Sequence, residues 1–330
     1  MGTTDQTTAT YPGDSLNNKP NSVAGRRPAP DENLTEELRA HLLKKGADLV
    51  GFGSIERLDG TPEILRPQRY LPSTVSLISI GVRVTEAVCD MIARCTWKGE
   101  DPPSYNAFQL FTLAAINPKL DDIAYEGAKF LEDWGYKAYP FPANQPHVLK
   151  PSPGYPGGTA DVSHKHIAVA CGLGQFGWHN MLLTPRFGTR QKLTSIATNA
   201  PLVPDSMIEG KLCNPEKCGF LCARACPTDA IPQQIEEKES ITIGDQPVEY
   251  AKLVGWRCRW GCSGMLKCTG GLRDIPMPDE EPSDDVLMRY KAKIDPWQNR
   301  VTNLAGLLPY CGRCLSACPE PRNGRRGNGA

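Results

Sequence analysis

The cysteines constrain this chain more than anything else in it. Ten of its 13 cysteines fall between positions 213 and 318, most of them in two short motifs. The first is Cys213-x4-Cys218-x3-Cys222-x3-Cys226-Pro227 and the second is Cys311-x2-Cys314-x3-Cys318-Pro319. A [4Fe–4S] cubane takes three thiolates from one tight turn and a fourth from a distance. Where two such motifs share a domain, the cysteine before the proline serves the other cluster. By that rule Cys213, Cys218, Cys222 and Cys318 hold one cluster, while Cys226, Cys311 and Cys314 begin a second that lacks a ligand. The stretch GWRCRWGCSGMLKC offers Cys258, Cys262 and Cys268 for the vacant place, Cys258 being the first choice and Cys262 the second. Structural zinc favours paired C-x2–4-C knuckles, which C-x3-C-P endings do not match, and an odd, clustered set speaks against disulfides. Cys89, Cys95 and Cys171 stand outside the motifs and read as buried free thiols.

The rest of the composition narrows the partners. Lys plus Arg and Asp plus Glu are equal at 37 each, so no overall field draws the chain to nucleic acid or to a membrane surface. No run of about 18 apolar residues is present, so no membrane span is expected. Arg26-Arg27 is followed by the acidic PAPDENLTEEL where an export signal needs an apolar segment. Residues 1–30 therefore read as a disordered leader, residues 321–330 as a frayed tail, and the protein as cytoplasmic.

Helical and extended patterns alternate up to about residue 204. Asn33–Lys45 reads as an amphipathic helix closed by Gly46, Asp48–Gly53 and residues 76–84 as strands, Asn106–Trp134 as a long helix interrupted at Pro118, and Tyr136–Phe141 as extended. A proline-rich stretch at 142–158 reads as a long loop of the kind that carries function. An α+β domain at 31–204 followed by a cysteine-rich domain at 205–320 is the resulting organisation.

Within the first domain, Gly172-Leu173-Gly174-Gln175-Phe176-Gly177 spells G-x-G-x-x-G. A dinucleotide site also needs a helix opening on that turn and an acidic residue about 20 positions on for the ribose. Here Pro185 follows eight residues after Gly177, MLLT and RQKLTSIATN read as strands, and residues 162–204 contain no Asp or Glu. A dinucleotide fold is therefore not expected. The same acid-free stretch carries Lys165, Arg186, Arg190 and Lys192, and four of the five histidines lie within 147–179. It suits a ligand with a phosphate or a polar rim; glycines serving close packing alone are the alternative.

Three segments taken together carry a family resemblance: SHKHIAVACGLGQFGWHNMLLTPRFGTRQKLTSIATNAPLVPD, CNPEKCGFLCARACPTDAI and YCGRCLSACP. In that order they resemble the corrinoid iron–sulfur reductases, namely the reductive dehalogenases and, more distantly, the epoxyqueuosine reductases. The resemblance covers roughly residues 140–320. It implies an α+β, nitroreductase-like core that binds a cobamide, followed by a ferredoxin-like domain with two [4Fe–4S] clusters. It also implies that Gly172, Leu173, Gly174, Gly177, Trp178, His179, Asn180, Leu182 and Thr184 contact the corrin and its nucleotide tail. For the proton donor the family offers a Tyr with a basic partner or an Asp, both upstream of the glycine motif; Tyr155, Asp161, His164 and Lys165 occupy that region here. Asp161 could equally cap a helix starting near Val162.

The expected activity is a cobamide-dependent reductase that cleaves a carbon–halogen or other carbon–heteroatom bond of a small organic substrate. Electrons would come through the clusters from a low-potential donor such as a ferredoxin or flavodoxin. A tRNA-nucleoside reductase and a non-enzymatic electron-transfer or corrinoid-activating protein are the alternatives. The absence of a basic surplus argues against nucleic acid as a partner.

Overall fold

The computed structural model describes residues 29–96, 108–143, 160–262, 265–269, 274–283 and 311–320. Its centre is a four-stranded, wholly antiparallel sheet. The strands are β1 (Leu49–Ser54), β2 (Ser76–Arg83), β3 (Ala138–Phe141) and β6 (Gln191–Thr198), in the order β1-β2-β6-β3. β2 is buried over seven of its eight positions. A strand covered on both faces carries a near-continuous apolar run, which is why SLISIGVR shows no polar alternation.

Period-two geometry sends alternate residues of that run to different layers. Ile78, Ile80 and Val82 join Val50, Phe52 and Ile196 beneath two helices, α1 (Glu32–Lys44) and α3 (Asn117–Asp133). Those helices contribute Leu34, Leu38, Leu42, Leu120, Ile123 and Leu131 at helical spacing. Leu77 and Ala197 point the other way, to Ile167, Ala168 and Val169 of the short helix α4 (His164–Ala170). Between β2 and β3 lie α2 (Glu86–Thr96) and the long helix; its first part, Leu110–Ile116, is π-helical before it settles into α3. Pro118, which has no N–H to give to the preceding turn, falls where the π-helical turn passes into α3.

After α4 come two short paired strands, β4 (Gln175–Phe176) and β5 (Leu182–Leu183), then β6. The cysteine-rich part contains α5 (Leu221–Arg224), a hairpin of β7 (Lys238–Ile243) and β8 (Gln246–Ala251), α6 (Gly255–Cys262) and α7 (Arg313–Ala317). It shares its core with the sheet rather than hanging from a linker. Ile243 and Tyr250 pack with α4, and Trp178 packs with Cys222, Ala223, Ile231 and Ala251. At the junction, the Asp205 carboxylate accepts from Arg39 Nη2 at 2.7 Å and from the Phe52 amide at 2.9 Å, tying the start of this part to α1 and β1. No helix among the described residues is long and apolar enough to cross a membrane.

Candidate iron–sulfur and proton-donor site

Each cysteine motif folds as a tight loop that enters a short helix through a left-handed residue. Gly219 and Phe220 have φ of 62° and 54° ahead of α5, and Gly312 has φ of 64° ahead of α7. Successive amides in such a loop face one concavity, the arrangement that binds anions and iron–sulfur clusters.

The structure brings the thiols together in two sets of four. Cys213, Cys218, Cys222 and Cys318 line one cleft together with Trp178, His179 and Glu320. Burial pushes the Cys222 thiol up to about 12, with Cys213, Cys318 and Cys218 adding to the effect. The second set is Cys226, Cys258, Cys311 and Cys314: burial pushes Cys311 well up, and Cys314, Cys258 and Cys226 reinforce the shift. Cys314 also senses Cys222, so the two sets adjoin. Of the candidates for the vacant ligand, Cys258 is the one beside Cys311 and Cys314, and Cys262 is hydrogen-bonded to Cys258.

Thiols raised by burial and by one another are stable only when protonated or when metal neutralises them. Among the described residues no three His, Cys, Asp or Glu side chains stand close enough to hold a single metal ion. Eight thiols in two adjoining sets of four match the ligand number of two four-iron clusters. Backbone amides already reach the sulfurs: Trp178 N–H donates to Cys213 Sγ and Ala230 N–H to Cys226 Sγ, each at 3.3 Å. Such bonds stabilise a thiolate-ligated cluster's added charge. Cys89 and Cys171 are buried free thiols; the Cys95 side chain lies outside the described residues.

The glycine motif is used for packing. A Cβ on Gly172, whose φ is 71°, would fall 2.2 Å from the Ser206 carbonyl oxygen. One on Gly174 would fall 2.1 Å from the Leu183 oxygen, and one on Gly177 would fall 2.6 Å from the His179 ring. The chain then enters the β4–β5 pair rather than a helix, so no dinucleotide turn forms. Gly174→Ala is expected to destabilise the fold by about 1–3 kcal/mol, because the clash is with backbone and cannot be relieved by rotating a side chain. A shift of the denaturant midpoint at unchanged slope checks this.

The other residues expected to contact a corrin also turn inward. Leu182 and Leu173 pack under the sheet. The buried Thr184 hydroxyl donates to Gln191 Oε1 at 3.1 Å and accepts from the Phe187 amide at 3.1 Å. The Trp178 indole N–H donates to the Pro232 oxygen at 2.8 Å. Asn180, at φ 58°, accepts from Lys165 Nζ through both its backbone oxygen and its Oδ1, at 2.6 and 2.8 Å. Most of these contacts hold the segment to itself and to the sheet, and Trp178 ties it to the cysteine-rich part.

Of the expected proton-donor group, Tyr155 lies outside the described residues. Ser163, two residues nearer the helix than Asp161, caps α4 by accepting from the His166 amide. Asp161 is instead released to a partner that sequence reading missed: Tyr70 Oη donates to its Oδ1 at 2.6 Å. Burial, and then this carboxylate, push the Tyr70 phenol up to about 12, so it stays a donor. Tyr70 sits between Tyr139 and Phe141 of β3, which fix its ring. His164 has both ring nitrogens engaged, by Ser195 Oγ at 2.9 Å and the Pro142 oxygen at 3.0 Å, which makes it a brace across the sheet. Burial pushes the Lys165 ammonium down to about 8, against the pull of Cys258 and Cys314, so its amine faces the second thiol set.

His166 is also held neutral. Its ring is buried edge-on between Phe176 and Tyr250, and burial pushes its pKa down to about 3. Between the unfolded value near 6.5 and that lower value, the unfolded chain binds a proton that the folded chain refuses. Stability is therefore lost as pH falls, by about 1.4 kcal/mol per pH unit from this group. Denaturant midpoints at pH 7 and pH 5 should differ less in His166→Phe than in the natural chain.

No family model matches the chain. Curated relatives do. It is 28% identical over 157 residues to a tetrachloroethene reductive dehalogenase of Sulfurospirillum multivorans, covering 46% of this chain and 22% of that one. It is 33% identical over 113 residues to an epoxyqueuosine reductase of Bacillus anthracis, covering 32% and 28%. With the epoxyqueuosine reductase of Bacillus subtilis it is 24% identical over 261 residues, 69% of this chain and 61% of that one. The chain thus spans less than two thirds of the length of these relatives. A solved reductive dehalogenase whose dehalogenation is described as B12-dependent superposes with a TM-score of 0.50 at 19% identity, over 89% of this chain and 39% of that one. A catabolic reductive dehalogenase gives 0.51 at 19% identity, over 88% and 38%. The homologues of this chain are the reductive dehalogenases and the epoxyqueuosine reductases, and with the former it shares a fold.

Proposed function

We propose that this chain is an iron–sulfur reductase of the corrinoid type. The observation that carries the proposal is the gathering of eight thiols into two adjoining sets beside Lys165. The assignment is Cys213, Cys218, Cys222 and Cys318 to one [4Fe–4S] cluster, and Cys226, Cys258, Cys311 and Cys314 to the other. Two clusters in series pass single electrons at low potential, so the partner is a small ferredoxin- or flavodoxin-like donor. The nitroreductase-like core and ferredoxin-like domain belong to the same reading.

The cobamide rests on the relatives, whose families use one, and not on the side chains of residues 172–184. When bound, a cobamide supplies a strongly reducing, nucleophilic cobalt able to open a carbon–halogen bond. The chain's own part is to hold and move a proton. Asp161, hydrogen-bonded to Tyr70, is the proposed acid, and Lys165, beside the second thiol set, is the proposed basic group. The substrate class is a small organohalide.

A tRNA-nucleoside reductase is the second reading, favoured because the alignment covering 69% of the chain is to an epoxyqueuosine reductase. Anaerobic reconstitution with iron, sulfide and cobalamin decides between them. Uptake of about one cobalt per chain, with reductive loss of bromide from a bromophenol, is the expected result. Cobalt uptake with tight, salt-sensitive binding of a tRNA stem-loop and no dehalogenation would favour the second reading. Iron without cobalt would leave an electron carrier.

A further inference from the structure

One buried donor beside the first thiol set has nothing to bond. His179 is 3% exposed. The Met181 amide donates to its Nδ1 at 3.1 Å, so that nitrogen carries the lone pair and the proton resides on Nε2. Nε2 is itself buried and has no hydrogen-bond partner among the described residues. An orphaned buried N–H is rare and calls for an acceptor.

The ring lines the cleft of Cys213, Cys218, Cys222 and Cys318. Its seat is made by Gly177, where a Cβ would meet the ring at 2.6 Å. The neighbouring residue already serves this set, since Trp178 N–H donates to Cys213 Sγ. On the other flank Arg190, 4% exposed, reaches the Cys318 oxygen through Nη2 at 3.5 Å, while its Nε and Nη1 have no partner. The segment from 162 to 204 contributes no carboxylate to either residue. The cleft lining thus holds one buried donor, His179 Nε2–H, that none of its neighbours, the carboxylate of Glu320 included, accepts from among the described residues.

We infer that His179 Nε2–H donates to a sulfur of the cluster held by Cys213, Cys218, Cys222 and Cys318, and so raises the reduction potential of that cluster. A [4Fe–4S] centre becomes one unit more negative when it accepts its single electron, so a donor to its sulfur favours the reduced state. His179 is on this view a tuning residue of the electron path, and not a contact of the corrin. The inference rests on the cluster reading above.

The test is an EPR-monitored redox titration of the full reconstituted chain, with titanium(III) citrate as reductant. His179→Leu is expected to keep its iron and to move one of two midpoints to more negative potential. His179→Gln, which retains an N–H, should return that midpoint toward the natural value. Full iron with both midpoints unmoved in His179→Leu overturns the inference and leaves the cluster reading intact. Should His179→Leu fail to hold iron, pulsed EPR of the natural chain labelled with 15N-histidine decides. Nitrogen coupling in the reduced spectrum supports the bond, and its absence overturns it. A natural chain that takes up no iron overturns both readings.

Discussion

Cys314→Ser is expected to lower iron from about eight to about four atoms per chain and to abolish turnover. Serine at this buried site offers a hydroxyl where the cluster needs a soft thiolate, and it leaves Cys226, Cys258 and Cys311 one ligand short. The first set would still fill, because none of its four thiols is removed. Electrons would then stop one step before the proposed reaction centre. Cys89→Ala provides the contrast: Cys89 belongs to neither set and packs in an apolar cluster with Val84, Ile92 and Phe108. It should cost stability and leave the iron count alone. Iron and acid-labile sulfide assays on the two variants, side by side, check this.

Asp161→Asn carries the second large effect. An amide of nearly the same shape can still accept from Tyr70 but cannot release a proton. Turnover should fall by about 10²–10⁴-fold, the ordinary contribution of a positioned acid. Iron content and both midpoints should stay as they are. Tyr70→Phe removes only the 2.6 Å bond that steadies the carboxylate. One such bond is worth about 1 kcal/mol, so a loss of about fivefold is expected. Single-turnover rates with pre-reduced protein separate this from any change in electron delivery. Equal losses in the two variants would mean that the pair is structural.

The grouping of the thiols in the fold follows the spacing of the two motifs, as the proposed ligation would require. Three ligands come from one turn, and the C-P ending names the cysteine that crosses over. Even so, Cys258 and Cys262 could not be told apart on spacing; the fold places Cys258 beside Cys311 and Cys314. The sheet was legible for a similar reason. The apolar run at Asp48–Gly53 and the β-branched alternation over 76–84 mark two strands, and the fold buries nearly all of both.

What escaped depends on contacts between distant residues. Tyr70 and Asp161 are 91 positions apart, and no periodicity connects them. Ser163 takes the cap position two residues after Asp161, a difference finer than a sequence pattern can resolve. The glycine motif was legible as not belonging to a dinucleotide site, because the helix and the ribose acid are missing. That its glycines meet Ser206, Leu183 and His179 could be learned only from the backbone paths that approach them.

The central claim is that these cysteines hold two cubane clusters. Iron and sulfide analysis of the anaerobically reconstituted natural chain, read with its Mössbauer spectrum, tests that most directly. About eight iron and eight sulfide per chain, with the spectrum of [4Fe–4S] centres, is the expected result. One or two zinc ions per chain with no sulfide, or iron that stops at about four, would contradict it.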